Sequence, residues 1–573
     1  MDPAEEVAAG QLSALLSALQ FPSSDPASAV PLLRDCVRLL PDLKYARDVA
    51  ALTRMIMLSP SIWPDDSQIL TQATAHPVGL FVHDAFRTVL RVRANSKAVV
   101  SHPSAKDDTT LFVNAMIAGL ATCANVPSHC VCALAGIMSA SPVAGAMRET
   151  QSAFVEALNN ISHNAPAIDD PVSFSISATV AYSITSQSFK AKIHVSPSLL
   201  SILANVLFAP EMHADVKPYA GPLALFTGEL YRFMATSSDL NLSLIPLSII
   251  FESSVRFRRV EAAKETAFAM VSVLTGLADG IQSRASRKWH MFAGPDALEV
   301  DISKQIILIL RNLSTTVYRM SVDGFAAQSY LHSAAVGILL SSGYPPVDDL
   351  VKDLQTTDAD AELLFELNTA EKILLSSPAS SPLPSSVLAQ IVKPAQKIIA
   401  ATTKPSGSSI SRGIYEAAHA VFLASLFIPA LAIDNVRYVH STYLPSVLVL
   451  YESNIISDKQ LTAVVRSLSS AFTPGSGILC SAAPTFGEDV LIPAIRGAIK
   501  GPKTQFLIGI YVDAVLACIP PERVEFWLSR VEQTRPVIAE RIKLGEIPSV
   551  CTEGVVRWWF STAEEGDMVN SRL

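Results

Sequence analysis

The chain has 573 residues, of which half are hydrophobic and only 17% charged, and a formal net charge of −8. The acidic balance excludes a general nucleic-acid binder. The length predicts two or more domains or one long repeat array.

From the N-terminus, Met1-Asp2-Pro3-Ala4-Glu5-Glu6 opens with acids, and a secretory signal peptide is not expected. Phe21-Pro22-Ser23-Ser24-Asp25-Pro26 is the first of several short breaks, followed by Asp169-Asp170-Pro171 and Gly343-Tyr344-Pro345-Pro346. Between them lie segments of about 12 to 20 residues with helical spacing. Thr109 to Met147 holds no Asp, Glu, Lys or Arg, and Ala417 to Ile433 is almost wholly apolar. The first is interrupted by Asn114, Pro127 and His129, and the second falls short of the roughly 20 residues a bilayer core requires. Both read as buried helices. Ser173 to Ser186 alternates in part and reads equally as a strand or a buried helix.

Glu261 to Ala278 predicts a helix ending near Gly280. Ile302, Ile306, Ile309, Leu310, Leu313 and Val317 fall on one helix face. Leu363, Leu367, Ala370 and Leu374 do the same behind Asp358 and Asp360, acids that suit a helix start. Val524, Trp527, Leu528 and Val531 follow Pro520-Pro521-Glu522, where proline suits the first turn. Two weak zones, Ser376 to Ser386 and Ala401 to Ser411, bracket one helix. The expected fold is all-α, an irregular armadillo- or HEAT-like helical solenoid without a repeat consensus at a fixed period. Its predicted parts are an N-terminal helical array (1–375), a Ser/Pro-rich linker with one helix (376–412), a C-terminal array (413–560) and a flexible tail (561–573).

Residue patterns for chemistry are few. Seven scattered cysteines fit buried reduced thiols better than a disulfide framework. Cys123, His129, Cys130 and Cys132 have no ordinary zinc spacing and read as core. Gly475-Ser476-Gly477 lacks the third glycine and the preceding strand of a dinucleotide loop. Asp169-Asp170 and Asp348-Asp349 sit beside prolines or loop residues and read as turn or cap carboxylates. Arg256, Arg258 and Arg259 read as a solvated helix end, or as a contact for an acidic segment. No catalytic residue, cofactor site or metal site is expected, and the chain reads as no enzyme.

The informative stretch is the C-terminus. Ser561 to Asn570 is polar and acidic, and cannot bury enough apolar surface to order itself. It carries Ser571-Arg572-Leu573, a small hydroxyl residue, a cation and a leucine, which is a variant of the Ser-Lys-Leu peroxisomal address. Thirteen residues reach at most about 45 Å when extended. In the expected recognition, Leu573 fills an apolar pocket, its α-carboxylate takes amide or cationic donors, Arg572 meets acidic or polar groups, and Ser571 fits by size.

An address of this kind on a long, apolar, helical chain without catalytic motifs resembles the fungal intraperoxisomal peroxin eight family. The shared features are Ser571-Arg572-Leu573, the size, the low charge and the lack of a membrane span. That family also carries an N-terminal Arg-Leu-x5-His/Gln-Leu/Ala signal. Here Arg38-Leu39 is followed by Tyr45-Ala46, with tyrosine in place of His or Gln and Pro41 between. The resemblance implies a non-enzymatic scaffold of matrix protein import, peripheral on the lumenal face of the peroxisomal membrane. It would bridge the docking and RING ubiquitin ligase complexes and bind the targeting-signal receptor to aid cargo release. Two other readings stay open: a helical adaptor in another pathway with a fortuitous tail, and a peroxisomal matrix enzyme of unfamiliar sequence.

Overall fold

Several helix starts in this chain are set by polar side chains and prolines. Asp170 accepts a hydrogen bond from the Ser173 N–H at 2.9 Å while Pro171 occupies the first helical position. Asp296 and Glu299, and again Ser457 and Gln460, form reciprocal capping boxes. The computed structural model describes residues 3–21, 29–63, 78–98, 105–140, 147–164, 168, 170–236, 240–258, 264–289, 295–321, 325–354, 359–377, 383–401, 409–500, 503–547 and 555. Among these residues the fold is all-helical and contains no strand.

The chain divides into two units, residues 1–317 with 325–335 and residues 318–324 with 336–573. The first begins with α1 (Pro3–Gln20), α2 (Ala29–Leu39), α3 (Ala46–Leu58) and α4 (Val78–Ala98). It continues with α5 (Ala105–Ala121), α6 (Pro127–Ala140), α7 (Met147–Asn164), α8 (Pro171–Ile184) and the short α9 (Gln187–Lys190). Then come α10 (Pro197–Leu207), α11 (Ala220–Thr236), α12 (Leu244–Phe257), α13 (Lys264–Trp289) and α14 (Ala297–Asn312). After α15 (Ser314–Met320) and α16 (Ala326–Ser341), the second unit has α17 (Tyr344–Leu354), α18 (Asp360–Ser376), α19 (Ser385–Ala400) and α20 (Ser409–Ser425). It closes with α21 (Ala432–Tyr438), α22 (Leu444–Glu452), α23 (Asp458–Ala471), α24 (Ile492–Ala498), α25 (Thr504–Cys518), α26 (Pro521–Leu528) and α27 (Thr534–Leu544).

Several boundaries differ from the sequence expectation. The ambiguous stretch after Ser173 is helical, as α8. The helix expected to stop near Gly280 runs on to Trp289, because Gly280 is there for packing. A Cβ on it would sit 2.5 Å from Ala235 Cβ and 2.8 Å from the Arg232 carbonyl oxygen. The single face expected from Ile302 to Val317 is split between α14 and α15, although all six of its residues are buried. The helix after Pro520 stops at Leu528, short of Val531. The long apolar stretches are broken: Thr109 to Met147 spans α5 and α6, and Ala417 to Ile433 turns at Pro429–Leu431. No single described helix is long and apolar enough to cross a membrane; one helix pair, 412–425 with 429–452, passes on length and composition but is bent by 100°. Arg38 and Leu39 lie in the last turn of α2, Leu40–Asp42 form a 3-10 turn, and Tyr45 precedes α3, so the two halves of the near-match to a second signal lie on different elements.

Close backbone approach organises the first unit. α11 lies against α13 where a Cβ on Gly276 would come 2.0 Å from the Gly228 carbonyl oxygen. Gly136 of α6 meets the His83 carbonyl of α4 in the same way (2.1 Å), and Gly119 of α5 meets that of Ala50 in α3 (2.5 Å). In the second unit α18 and α19 both pack on α20. There His419 Nδ1 and the Tyr443 hydroxyl share a 3.0 Å hydrogen bond, with Tyr443 carried by a π-turn at Val439–Tyr443.

Gly276→Ala is expected to lower stability by at least about 2 kcal/mol, since backbone blocks the new methyl. Gly509→Ala on α25, where nothing lies within 4 Å, is expected to gain about 0.5–1 kcal/mol; urea denaturation compares the two. Burial also lowers the His419 pKa from 6.5 to about 4. The unfolded chain therefore takes up this proton first as pH falls, and stability is lost between pH 6.5 and 4. From pH 7 to pH 5 the loss is about 2 kcal/mol, and His419→Gln should flatten that part of the stability–pH curve.

Candidate functional site

The tripeptide Ser571, Arg572 and Leu573, singled out in the sequence, lies outside the described residues, as do Cys551, Asp169 and Arg259. Within the described residues, Asp170 is the cap of α8, and its other oxygen accepts from the Gly79 N–H at 3.0 Å. Asp348 pairs with Lys352 one turn on. Gly475-Ser476-Gly477 is a tight turn after α23: Gly475 has φ +78°, and a Cβ on Gly477 would press on the Ala471 carbonyl at 2.4 Å. Arg256 and Arg258 stand exposed at the end of α12.

The Cys123–Cys132 region resolves into core and groove. His129 is buried, donates from Nδ1 to the Met57 carbonyl oxygen at 3.0 Å, and stacks on Trp63 with ring centroids 3.6 Å apart. The Trp63 indole in turn donates to the Ile56 carbonyl at 3.0 Å. The imidazole thus ties α6 to the end of α3. Cys132 is buried, and burial pushes its thiol well up. No group of three or more His, Cys, Asp or Glu able to hold a metal ion occurs among the described residues.

Cys123 and Cys130 lie instead at the floor of a groove of about 290 Å³ formed by α5, α6 and α7. Leu120, Pro127 and Leu134 share the floor, and Glu149 and Glu156 stand on the rim. The neighbouring Cys130 thiol, by hydrogen bonding, holds the Cys123 pKa down, and Cys130 is itself raised by that pairing and by burial. The local sequence builds this shape. The break at residues 122–126 turns the chain back, and Glu149, Ser152, Ala153, Glu156 and Asn160 recur at helical spacing on one face of α7. Sequence reasoning missed the groove; its available signal was that polar stripe facing the apolar α5–α6 turn. The groove offers an apolar floor with an acidic edge, suited to an apolar segment that carries a cation.

Fold and groove together define an all-helical protein with a recessed apolar surface in its N-terminal region. Residues 6–190 match the family described as Peroxin 8 protein-like, N-terminal domain. The match covers about a third of the chain, and over that region the sequence is similar to the peroxin 8 family, in agreement with the sequence resemblance. No curated protein matches the sequence. The family implies peroxisome association and a role related to peroxisomal import. The matched region contains the groove, α3 to α8 and the Gly119 and Gly136 contacts.

His129→Ala should cost about 2–3 kcal/mol, through loss of a buried hydrogen bond and a ring stack. His440→Ala, at an exposed position, should stay within about 0.5 kcal/mol. Thermal unfolding of the two variants checks both values.

Proposed function

We propose that this chain is a non-enzymatic scaffold of peroxisomal matrix protein import, acting peripherally on the lumenal face of the membrane. The family match over residues 6–190 carries the reading, and the tripeptide Ser571-Arg572-Leu573 supports it. In this reading the helices stack as an irregular armadillo- or HEAT-like solenoid, whose extended surface holds several partners at once. Residues 1–375 and 413–560 serve as two arrays, 376–412 as the linker and 561–573 as the tail. The docking complex and the RING ubiquitin ligase complex are the partners bridged.

The tail engages the targeting-signal receptor in the pocket that otherwise holds cargo. Leu573 supplies the aliphatic side chain and the carboxylate, Arg572 the cation, and Ser571 the small residue. Occupying that pocket from within the organelle would compete with cargo and favour its release.

Two measurements test the proposal. Removing Leu573 should weaken binding to the receptor's ligand-binding domain at least about 100-fold, as the carboxylate is displaced and the apolar pocket left empty; unchanged affinity refutes the tail's role. Deleting the gene should mislocalise matrix proteins of many pathways together, whereas a defect confined to one pathway would indicate an enzyme.

A further inference from the structure

The turn between α20 and α21 is an exposed apolar projection of the second unit. Ser425 to Ile433 contains no charged residue. Phe427 is 42% exposed and Ile433 63%, with Pro429 and Ala430 also exposed between them. Their neighbours Leu426 and Leu431 are buried and hold the turn in place. The two helical arms meet at 100°, so Phe427 and Ile433 project from a corner rather than line a recess. A corner of this kind has little concave surface to offer a folded partner, but it can enter a soft interface.

The charges around the corner are few, and those on the neighbouring α19 are all basic. From residue 417 to residue 451 the only acid is Asp434 and the only strong base Arg437, one helical turn beyond Ile433. Helix α19 packs against the turn at Pro429–Leu431, and the Tyr438 hydroxyl donates to its Gln396 carbonyl at 2.9 Å. That contact brings α19 against the corner; its Lys393 and Lys397 are both exposed, and it has no acid. An apolar tip flanked by Lys393, Lys397 and Arg437 matches an anionic bilayer surface: the apolar groups enter the acyl boundary while the cations stay at headgroup level.

We propose that Phe427 and Ile433 insert into anionic membrane and anchor the chain there, with Lys393, Lys397 and Arg437 at the headgroups. The proposal rests on the peripheral-membrane reading given above and assigns it a surface.

The test is flotation of the full chain with vesicles of phosphatidylcholine, with and without about one quarter phosphatidylserine. The unaltered chain should float with the anionic vesicles, and less so as salt is raised. Phe427→Ser with Ile433→Ser should cut the partition coefficient at least about tenfold while leaving the melting temperature in place, since both side chains are exposed. Lys393→Glu with Arg437→Glu should abolish the preference for anionic vesicles. Should the unaltered chain float and the Phe427/Ile433 variant float equally, the tip is overturned and the membrane reading stands. Should the unaltered chain bind neither vesicle, both fall. If the variant loses only self-association in analytical ultracentrifugation, a second copy covers the tip and the lipid assignment is overturned.

Discussion

The first unit depends on backbone meeting backbone where helices cross. Gly276 against Gly228, Gly136 against His83 and Gly119 against Ala50 each leave no room for even one methyl group. At such crossings the helices approach more closely than side-chain ridges allow, and neighbouring side chains are fixed in turn. Gly119, Gly136, Gly228 and Gly276 sit at these crossings, and around them the unit buries a large apolar core together with many serine and threonine side chains.

The same crossings place the candidate site. Gly119 pins α5 to α3, Gly136 pins α6 to α4, and His129 ties the start of α6 to the end of α3 through the Met57 carbonyl. With both helices held, the turn that joins them places the buried Cys123 in the groove. The face of α7 bearing Glu149 and Glu156 closes the groove on its open side. Cys123 and Cys130 then read as floor residues whose thiols hydrogen-bond to nearby carbonyls, and not as metal ligands. The second unit uses different means. A half-buried His419 bonded to the buried Tyr443, and a π-turn, hold α20 near a broken helix, and that break exposes Phe427 and Ile433.

Much of the helical pattern was legible because apolar spacing survives in the chain. Leu363, Leu367, Ala370 and Leu374 predict α18, and Pro521 marks a helix start that the structure keeps. Gly280 was misread because a glycine at a helix end and a glycine at a helix crossing look alike without the partner helix. The Ile302–Val317 face looked continuous because the break between α14 and α15 falls at Leu313 alone and all six residues stay buried. Ser173 to Ser186 was ambiguous, since a helix buried all round loses its polar stripe. The groove escaped notice because its floor comes from α5 and α6 and its rim from α7, and spacing within one segment does not report on such an assembly. The tail tripeptide is the reverse case, informative as sequence and independent of fold.

The central claim, that a helical, non-catalytic platform offers its C-terminal tripeptide to a soluble carrier, is most directly tested by photocrosslinking in intact cells. A photoreactive residue replaces Asn570, next to Ser571-Arg572-Leu573. The account predicts a light-dependent adduct with the targeting-signal receptor, competed by a peptide ending in Ser-Lys-Leu. Crosslinks formed only within the chain itself would contradict it.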